Sequence, residues 1–273
     1  MSSETHLSDL SHHGLIKVHG DDAESFLQNQ LTNDVRNVTK TSAQTSAWCS
    51  PKGRIIASFM IFKRDDAYFL SLSHDLLEHV IKKLSMYVMM SKVTIEDATQ
   101  SLAHIGLSGD TVKDTLKTLP KNATVLELSG AEPRFEVFAE TEELQALSEA
   151  TQTAADNHWD YLNILSGLPS ITQASSEAWI PQMVNFIAVD GVDFKKGCYP
   201  GQEVVARLNY LGKTKRRMYH ILIDTADLPE IGASIASKKD SGAGKILNAV
   251  INPDGKVEAL AVMKIAEADG ELT

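Results

Sequence analysis

The chain has 273 residues, with 26 Lys and Arg against 36 Asp and Glu, a formal net charge of −10. A hydrophobic share of 43% beside 23% charged residues is globular composition and excludes a disordered chain. The length suits one large domain or two to three small ones. The excess of acid argues against a protein that coats nucleic acid through its overall charge.

Cys49 and Cys198 stand far apart and form no CxxC pair, so neither a disulfide framework nor a zinc site is expected. Residues 1–9 carry Glu4 and Asp9, no Lys or Arg and no apolar run, unlike a signal peptide. No uncharged apolar stretch approaches the roughly 18 residues of a membrane span. The expected setting is the cytoplasm.

In chain order, residues 16–18 read as a strand and His19-Gly20-Asp21 as a turn. A helix is expected over 23–31, striped by Phe26, Leu27 and Leu31, with Asp21 or Asp22 capping its free N–H groups. Residues 54–62 and 67–73 are β-branched or aromatic and are split by Lys63-Arg64-Asp65-Asp66, a hairpin pattern. Leu76, Leu77, Val80, Ile81, Leu84 and Val88 recur at helical spacing, and 92–96 returns as a strand. A second cycle follows, with strands at 103–107, 124–128 and 134–138 and helices at 111–118 and 141–151. After Lys215-Arg216-Arg217, apolar runs at 218–224, 245–251 and 256–265 alternate with turns, which predicts a small barrel-like β module.

Charge is uneven. Residues 136–194 hold ten acids and no Lys or Arg, whereas 195–217 hold seven bases and one acid, a local +6. Such a concentration suits an anion, although a solvated basic loop has the same look. Within it runs Lys196-Gly197-Cys198-Tyr199-Pro200-Gly201-Gln202-Glu203 up to Arg207. Two glycines bracketing Cys, Tyr and Pro predict a tight turn leading into a helix N-terminus. That setting suits carboxylates, which Lys196 and Arg207 would flank. Gln202 and Glu203 offer acceptors and a donor to a heterocycle edge. Cys198 reads either as a thiolate favoured by Lys195 and Lys196 or as a small residue in a crowded turn.

These residues resemble the signature of the YgfZ family, folate-binding proteins related to the aminomethyltransferase (T-protein, GcvT) of the glycine cleavage system. Residues 26–35 (Phe-Leu-Gln-Asn-Gln-Leu-Thr-Asn-Asp-Val), Ser50-Pro51-Lys52-Gly53-Arg54, Gly167-Leu168-Pro169 and residues 180–185 resemble further family segments. The resemblance implies an α+β, three-domain ring of GcvT type: two α+β domains, 1–98 and 99–212, and a C-terminal β-barrel, 213–273. It implies tetrahydrofolate as ligand, held by Lys196, Tyr199, Gln202, Glu203 and Arg207, with Gln28 closing the helix that faces the channel and Thr32 and Asn33 lining the pterin pocket; an ordinary polar helix end has the same composition. It also implies support of iron–sulfur client enzymes that modify tRNA, with Cys198 as a redox-active or transient cluster contact. Aminomethyltransferases carry an acidic pair where this chain has Ala57 and Ser58, which argues against aminomethyl transfer. A folate-dependent one-carbon transferase and a weak RNA binder using Lys213 to Arg217 are the alternatives. Asp160 reads as a contact for a ligand amine or as a neighbour of core Trp159 and Tyr161, and His12-His13 lacks the partners a metal would need.

Overall fold

The computed structural model describes residues 4–40, 42–130 and 132–269. Fourteen strands among these residues form three sheets. The first contains β2 (His13–His19), β3 (Gln44–Cys49), β4 (Ile55–Arg64), β5 (Ala67–Ser73) and β6 (Thr94–Asp97) in the order β3-β4-β5-β2-β6, all antiparallel. The second contains β1 (His6–Asp9), β7 (Ala103–Ser108), β8 (Thr124–Leu128), β9 (Arg134–Ala139) and β10 (Gln152–Thr153) in the order β10-β1-β7-β9-β8. The strand that opens the chain therefore belongs to the second sheet, antiparallel to β7 and parallel to β10. β11 (Arg216–Ile223), β12 (Ser234–Ile235), β13 (Gly244–Ile251) and β14 (Val257–Lys264) form the third sheet, in the order β11-β14-β13-β12. It is an antiparallel sheet with edges β11 and β12, curled into half of the barrel that the sequence predicts. β12, with two residues, is too short to carry a ladder back to β11.

The helices are α1 (Ala23–Gln30), α2 (Leu77–Ser85), α3 (Val112–Thr115), α4 (Thr141–Ala150), α5 (His158–Leu165) and α6 (Gln202–Leu211). The expected capping of α1 by an acidic side chain does not occur. Asp22 Oδ2 instead accepts from Lys92 N at 2.8 Å, and Asp21 pairs with Lys92 Nζ at 3.0 Å. Both carboxylates thus tie the helix start to the approach of β6.

Phe62, Phe69 and Phe138 stack between the first two sheets, at centroid distances of 5.2 Å (Phe62–Phe69) and 4.4 Å (Phe62–Phe138), together with Leu15, Leu102 and Leu126. A larger apolar cluster runs from Leu27, Trp48 and Ile55 through Trp179 and Phe186 to Val205, Leu247 and Val262, binding the first sheet to α6 and the third sheet. Trp159 of α5 lies over Gly106 of β7, where an added Cβ would meet its ring at 2.4 Å.

Residues 166–201 form no helix or strand, yet their backbone is held by local turns and by bonds to the first sheet. Ile55 N donates to Trp179 O, Glu177 N to Ile55 O, and Ile171 N to Ser58 Oγ, at 2.7–3.1 Å.

Candidate functional site

α6 starts immediately after Gly201, whose φ is +81°. A Cβ there would come within 2.4 Å of Ser50 O and 2.6 Å of the Gly53 Cα, all backbone. The turn Ser50–Gly53 that joins β3 to β4 is therefore pressed against the turn before α6. Two sequence segments 150 residues apart meet through glycines at both positions.

Lys196 is buried, and its Nζ donates to Gln28 O at 2.6 Å and Leu31 O at 2.5 Å. These carbonyls close the last turn of α1, where helix carbonyls lack partners and the macrodipole is negative. Burial pulls the Lys196 amine down to about 8, against the pull of Asp34 and Asp193. The hydrogen bond from Arg36 holds the neighbouring Asp34 carboxyl at about 2. The Tyr199 ring lies 5.2 Å from the Lys196 ammonium, and its buried hydroxyl, with no hydrogen-bond partner, is pushed up by burial.

The residues after α1 join this cluster. Gln28 Oε1 accepts from Val35 N at 3.0 Å. Thr32 has no exposed surface; its hydroxyl donates to Gly191 O at 2.6 Å and accepts from Ala47 N at 2.9 Å. Asn33 Nδ2 donates to Thr45 O at 2.9 Å and Asp190 O at 2.5 Å. Gln28, Thr32, Asn33, Lys196 and Tyr199 thus come together: Thr32, Asn33 and Lys196 tie the loop before α6 to β3 and to the end of α1, and the Gln28 side chain holds the turn after α1.

Of these, Asn33 also borders open space. A cavity of about 530 Å³ is walled by Asn33, Gln44, Thr45, Met60, Glu127, Arg134 and Asp190, among others. Thr45, Met60 and Leu168 also line a narrower one of about 70 Å³, which shares His13, Asn163 and Ser170 with a third of about 200 Å³. The three follow one another along the junction of the first two sheets and the 166–201 loop.

Glu136 of β9, a residue the sequence reading did not single out, faces the narrow part opposite Ser58 of β4. It is buried, and Oε2 meets His104 Nε2 at 3.2 Å. Burial opposes its ionisation, but His104, His13 and Arg134 outweigh that and hold the carboxyl below its usual value. A buried carboxylate has a strong demand for N–H donors. Arg134 is buried beneath it, donating to Ser129 O and Asn163 Oδ1, and burial lowers it to about 10. Burial, then His104, pulls His13 down to about 3, so it lines the cavity as a neutral ring. Asp160 and His12 border the third cavity, and burial raises the Asp160 carboxyl. Trp159 is a core residue, as its aromatic character suggested.

The remaining signature residues sit on the outer side. Cys198 is exposed, whereas Cys49 is buried and pushed up to about 12 by burial, so Cys198 is the accessible thiol. Glu203 and Arg207 are exposed on α6, and Gln202 Nε2 donates to Gly197 O at 3.4 Å. Among the described residues, no three His, Cys, Asp or Glu side chains gather as metal ligands, and no helix is long and apolar enough to cross a membrane.

The GCVT N-terminal domain model matches residues 1–146. The aminomethyltransferase T of the glycine cleavage system from Bartonella henselae superposes with a TM-score of 0.76 at 16% identity, covering 97% of this chain and 79% of that one. That likeness establishes a mixed α+β fold shared with the aminomethyltransferase. A tRNA-modifying protein YgfZ from Colwellia psychrerythraea is 33% identical over 231 residues, 79% of this chain and 71% of the relative. One from Photobacterium profundum is 30% identical over 280 residues, 94% and 83% of the two chains. On identity and coverage together, the chain belongs to the YgfZ family.

Proposed function

We propose that the chain binds a tetrahydrofolate in the run of cavities and serves, as an accessory protein, iron–sulfur enzymes that modify tRNA. The observation that carries the ligand is the enclosed Glu136 carboxylate. One oxygen is bonded to His104, and the side chain borders a cavity otherwise walled by neutral groups. A 2-amino-4-oxo heterocycle presents adjacent N–H groups that such a carboxylate accepts. Gln44, on the wall of the larger cavity, has a buried Oε1 without a hydrogen-bond partner, a further acceptor that suits a donor-rich ligand. A bound tetrahydrofolate supplies one-carbon carriage at its reduced ring nitrogens.

In this reading Asn33 is a wall residue. Lys196, Thr32, Gln28 and Tyr199 hold the loop in place, Gln202 opens α6, and Glu203 and Arg207 with the basic stretch face the ligand's anionic tail or a partner. The exposed Cys198 is the redox-active contact offered to a client. The relatives' name, tRNA-modifying protein, supports the link to tRNA modification. The same reading keeps a ring of three domains, 1–98, 99–212 and 213–273, with β1 of the first segment lent to the sheet of the second.

Calorimetric titration with tetrahydrofolate tests the ligand. Glu136→Gln keeps the volume but removes the charge, and is expected to weaken binding about 10- to 100-fold, since charge-assisted hydrogen bonds are worth about 1.5–3 kcal/mol. Equal affinity in both proteins would remove Glu136 from the site, and no heat from the wild type would remove the folate.

A one-carbon transferase is the second reading, and one observation favours it. Although the hairpin carries no acid at Ala57 or Ser58, Asp160 borders the third cavity with a carboxyl that burial raises, as suits a general acid or base. Turnover of tetrahydrofolate with an amine donor, lost in Asp160→Asn, would establish that reading; no turnover in the wild type would end it.

A further inference from the structure

The outer face of α6 has an arrangement that neither the fold nor the ligand requires. Val204, Leu208 and Leu211 recur at i, i+4 and i+7, the spacing of a stripe meant to be covered. The helix instead buries Val205 and leaves Leu211 85% and Val204 40% exposed, with Leu208 half-buried between them. With Ile180 and Met183 the stripe floors an open cleft of about 650 Å³. Arg207, Lys213 and Lys215 line the same cleft, against one acid, Glu203. The exposed Cys198 lies just before this helix.

We infer that this cleft is a docking groove for an acidic amphipathic helix of a partner protein, whose apolar side chains fill the aliphatic floor while its carboxylates meet Arg207, Lys213 and Lys215. The charge distribution selects that occupant. With a net charge of −10 the molecule repels an acidic partner in general, and the exposed Arg207, Lys213 and Lys215 give it an attractive approach here. A nucleic acid would use the bases but would gain little from an aliphatic floor of Val204, Leu208 and Leu211, because bases stack on aromatic faces. A second copy of this chain offers acids on α4, but the Leu144 side chain of that helix is buried in its own core and cannot fill the groove. The inference deepens the accessory-protein reading, giving the surface and the chemistry by which a client is held, and it does not depend on the folate.

The test uses the full chain and a synthetic 18-residue fluorescent peptide with Leu at i, i+3, i+4 and i+7, Ala at most other positions and Glu placed along the flanks of the Leu stripe. Its controls are a peptide of the same composition with the leucines scrambled and a 12-nucleotide oligouridine. By anisotropy the amphipathic peptide is expected to bind saturably with Kd on the order of 10–100 μM. The scrambled peptide and Leu211→Gln are each expected to weaken binding at least about tenfold, because each loses a buried leucine contact. Arg207→Glu with Lys213→Glu is expected to abolish it, while Glu136→Gln binds as wild type. All these positions but Glu136 are exposed, and circular dichroism verifies the fold of each variant. Equal binding of the scrambled peptide, or none, overturns the groove while leaving the folate reading intact. Tighter binding of oligouridine, insensitive to Leu211→Gln, assigns the face to RNA instead. Self-association by sedimentation that Leu211→Gln removes assigns it to a second copy; either result overturns the inference.

Discussion

Replacing Lys196 by alanine is expected to lower the stability of the protein by about 3 kcal/mol, and replacing it by methionine by about 2 kcal/mol. The ammonium is one of the few groups that satisfy the C-terminal carbonyls of α1, since the helix has no basic residue in its own last turn. Methionine keeps the apolar stem beside Tyr199 and isolates the loss of the donor; alanine removes both. The pH dependence separates this role from that of a solvated lysine. The folded amine sits at about 8 against 10.5 in the unfolded chain, so between these values the unfolded chain binds more protons. Stability of the wild type therefore rises with pH across that window, as the cost of burying the charge is relieved. Urea denaturation at pH 7, 8, 9 and 10 is expected to show the gap between wild type and Lys196→Met widening above pH 8. A gap that stays constant would mean that the ammonium is hydrated in solution and that α1 is closed by other means.

What the sequence revealed of this molecule divides along a physical line. β2, β4, β5, β7, β9 and β14 are long enough for their β-branched and aromatic residues to declare them, and α2 carries its apolar side at helical spacing. β1, with the residues His-Leu-Ser-Asp, has no such pattern; it is a strand because β7 and β10 flank it, at separations of about a hundred residues or more. β3 begins Gln-Thr-Ser-Ala and is held by pairing with β4. Residues 166–201 show no period because their partners include the Ile55 backbone and Ser58 hydroxyl of β4 and the Thr32 side chain.

The site divides the same way. Glycine spacing and charge exposed the segment 196–207, but the task of Lys196 depends on carbonyls 165 and 168 residues away and has no local trace. Glu136 was hidden among ten acids of one region, although one cue was present: it is the lone carboxylate in the otherwise apolar run Phe135 to Ala139. That strand is buried on both faces, so alternation could not tell which side faced the cavity.

Gly201→Ala is expected to cost about 2–4 kcal/mol, and its neighbour Gly197→Ala less than about 0.5 kcal/mol. The two glycines look alike in the sequence, four residues apart around Cys198. Only Gly201 has a positive φ, which costs an L-residue about 1 kcal/mol, and only its Cβ meets backbone, at 2.4 Å from Ser50 O. A carbonyl within a hydrogen-bonded turn cannot swing away as a side-chain end can, because Ser50 O also accepts from Gly53 N at 2.8 Å. An added Cβ at Gly197 has nothing within 4 Å. For a chain of this size the Gly201 loss corresponds to a fall in Tm of about 6–12 °C. Thermal melts of the two variants side by side decide the matter, and equal shifts would mean that the turn before α6 does not rest on the β3–β4 turn. If it does rest there, the damage reaches beyond stability. The Gly53–Gly201 contact sets where α6 begins, so Gly201→Ala also displaces the exposed Cys198 and the Leu211 stripe together relative to the Glu136 cavity. Gly53→Ala presses on the same contact, where its Cβ would lie 3.0 Å from the Val204 Cβ, so the two substitutions combined are expected to cost less than the sum of their separate effects.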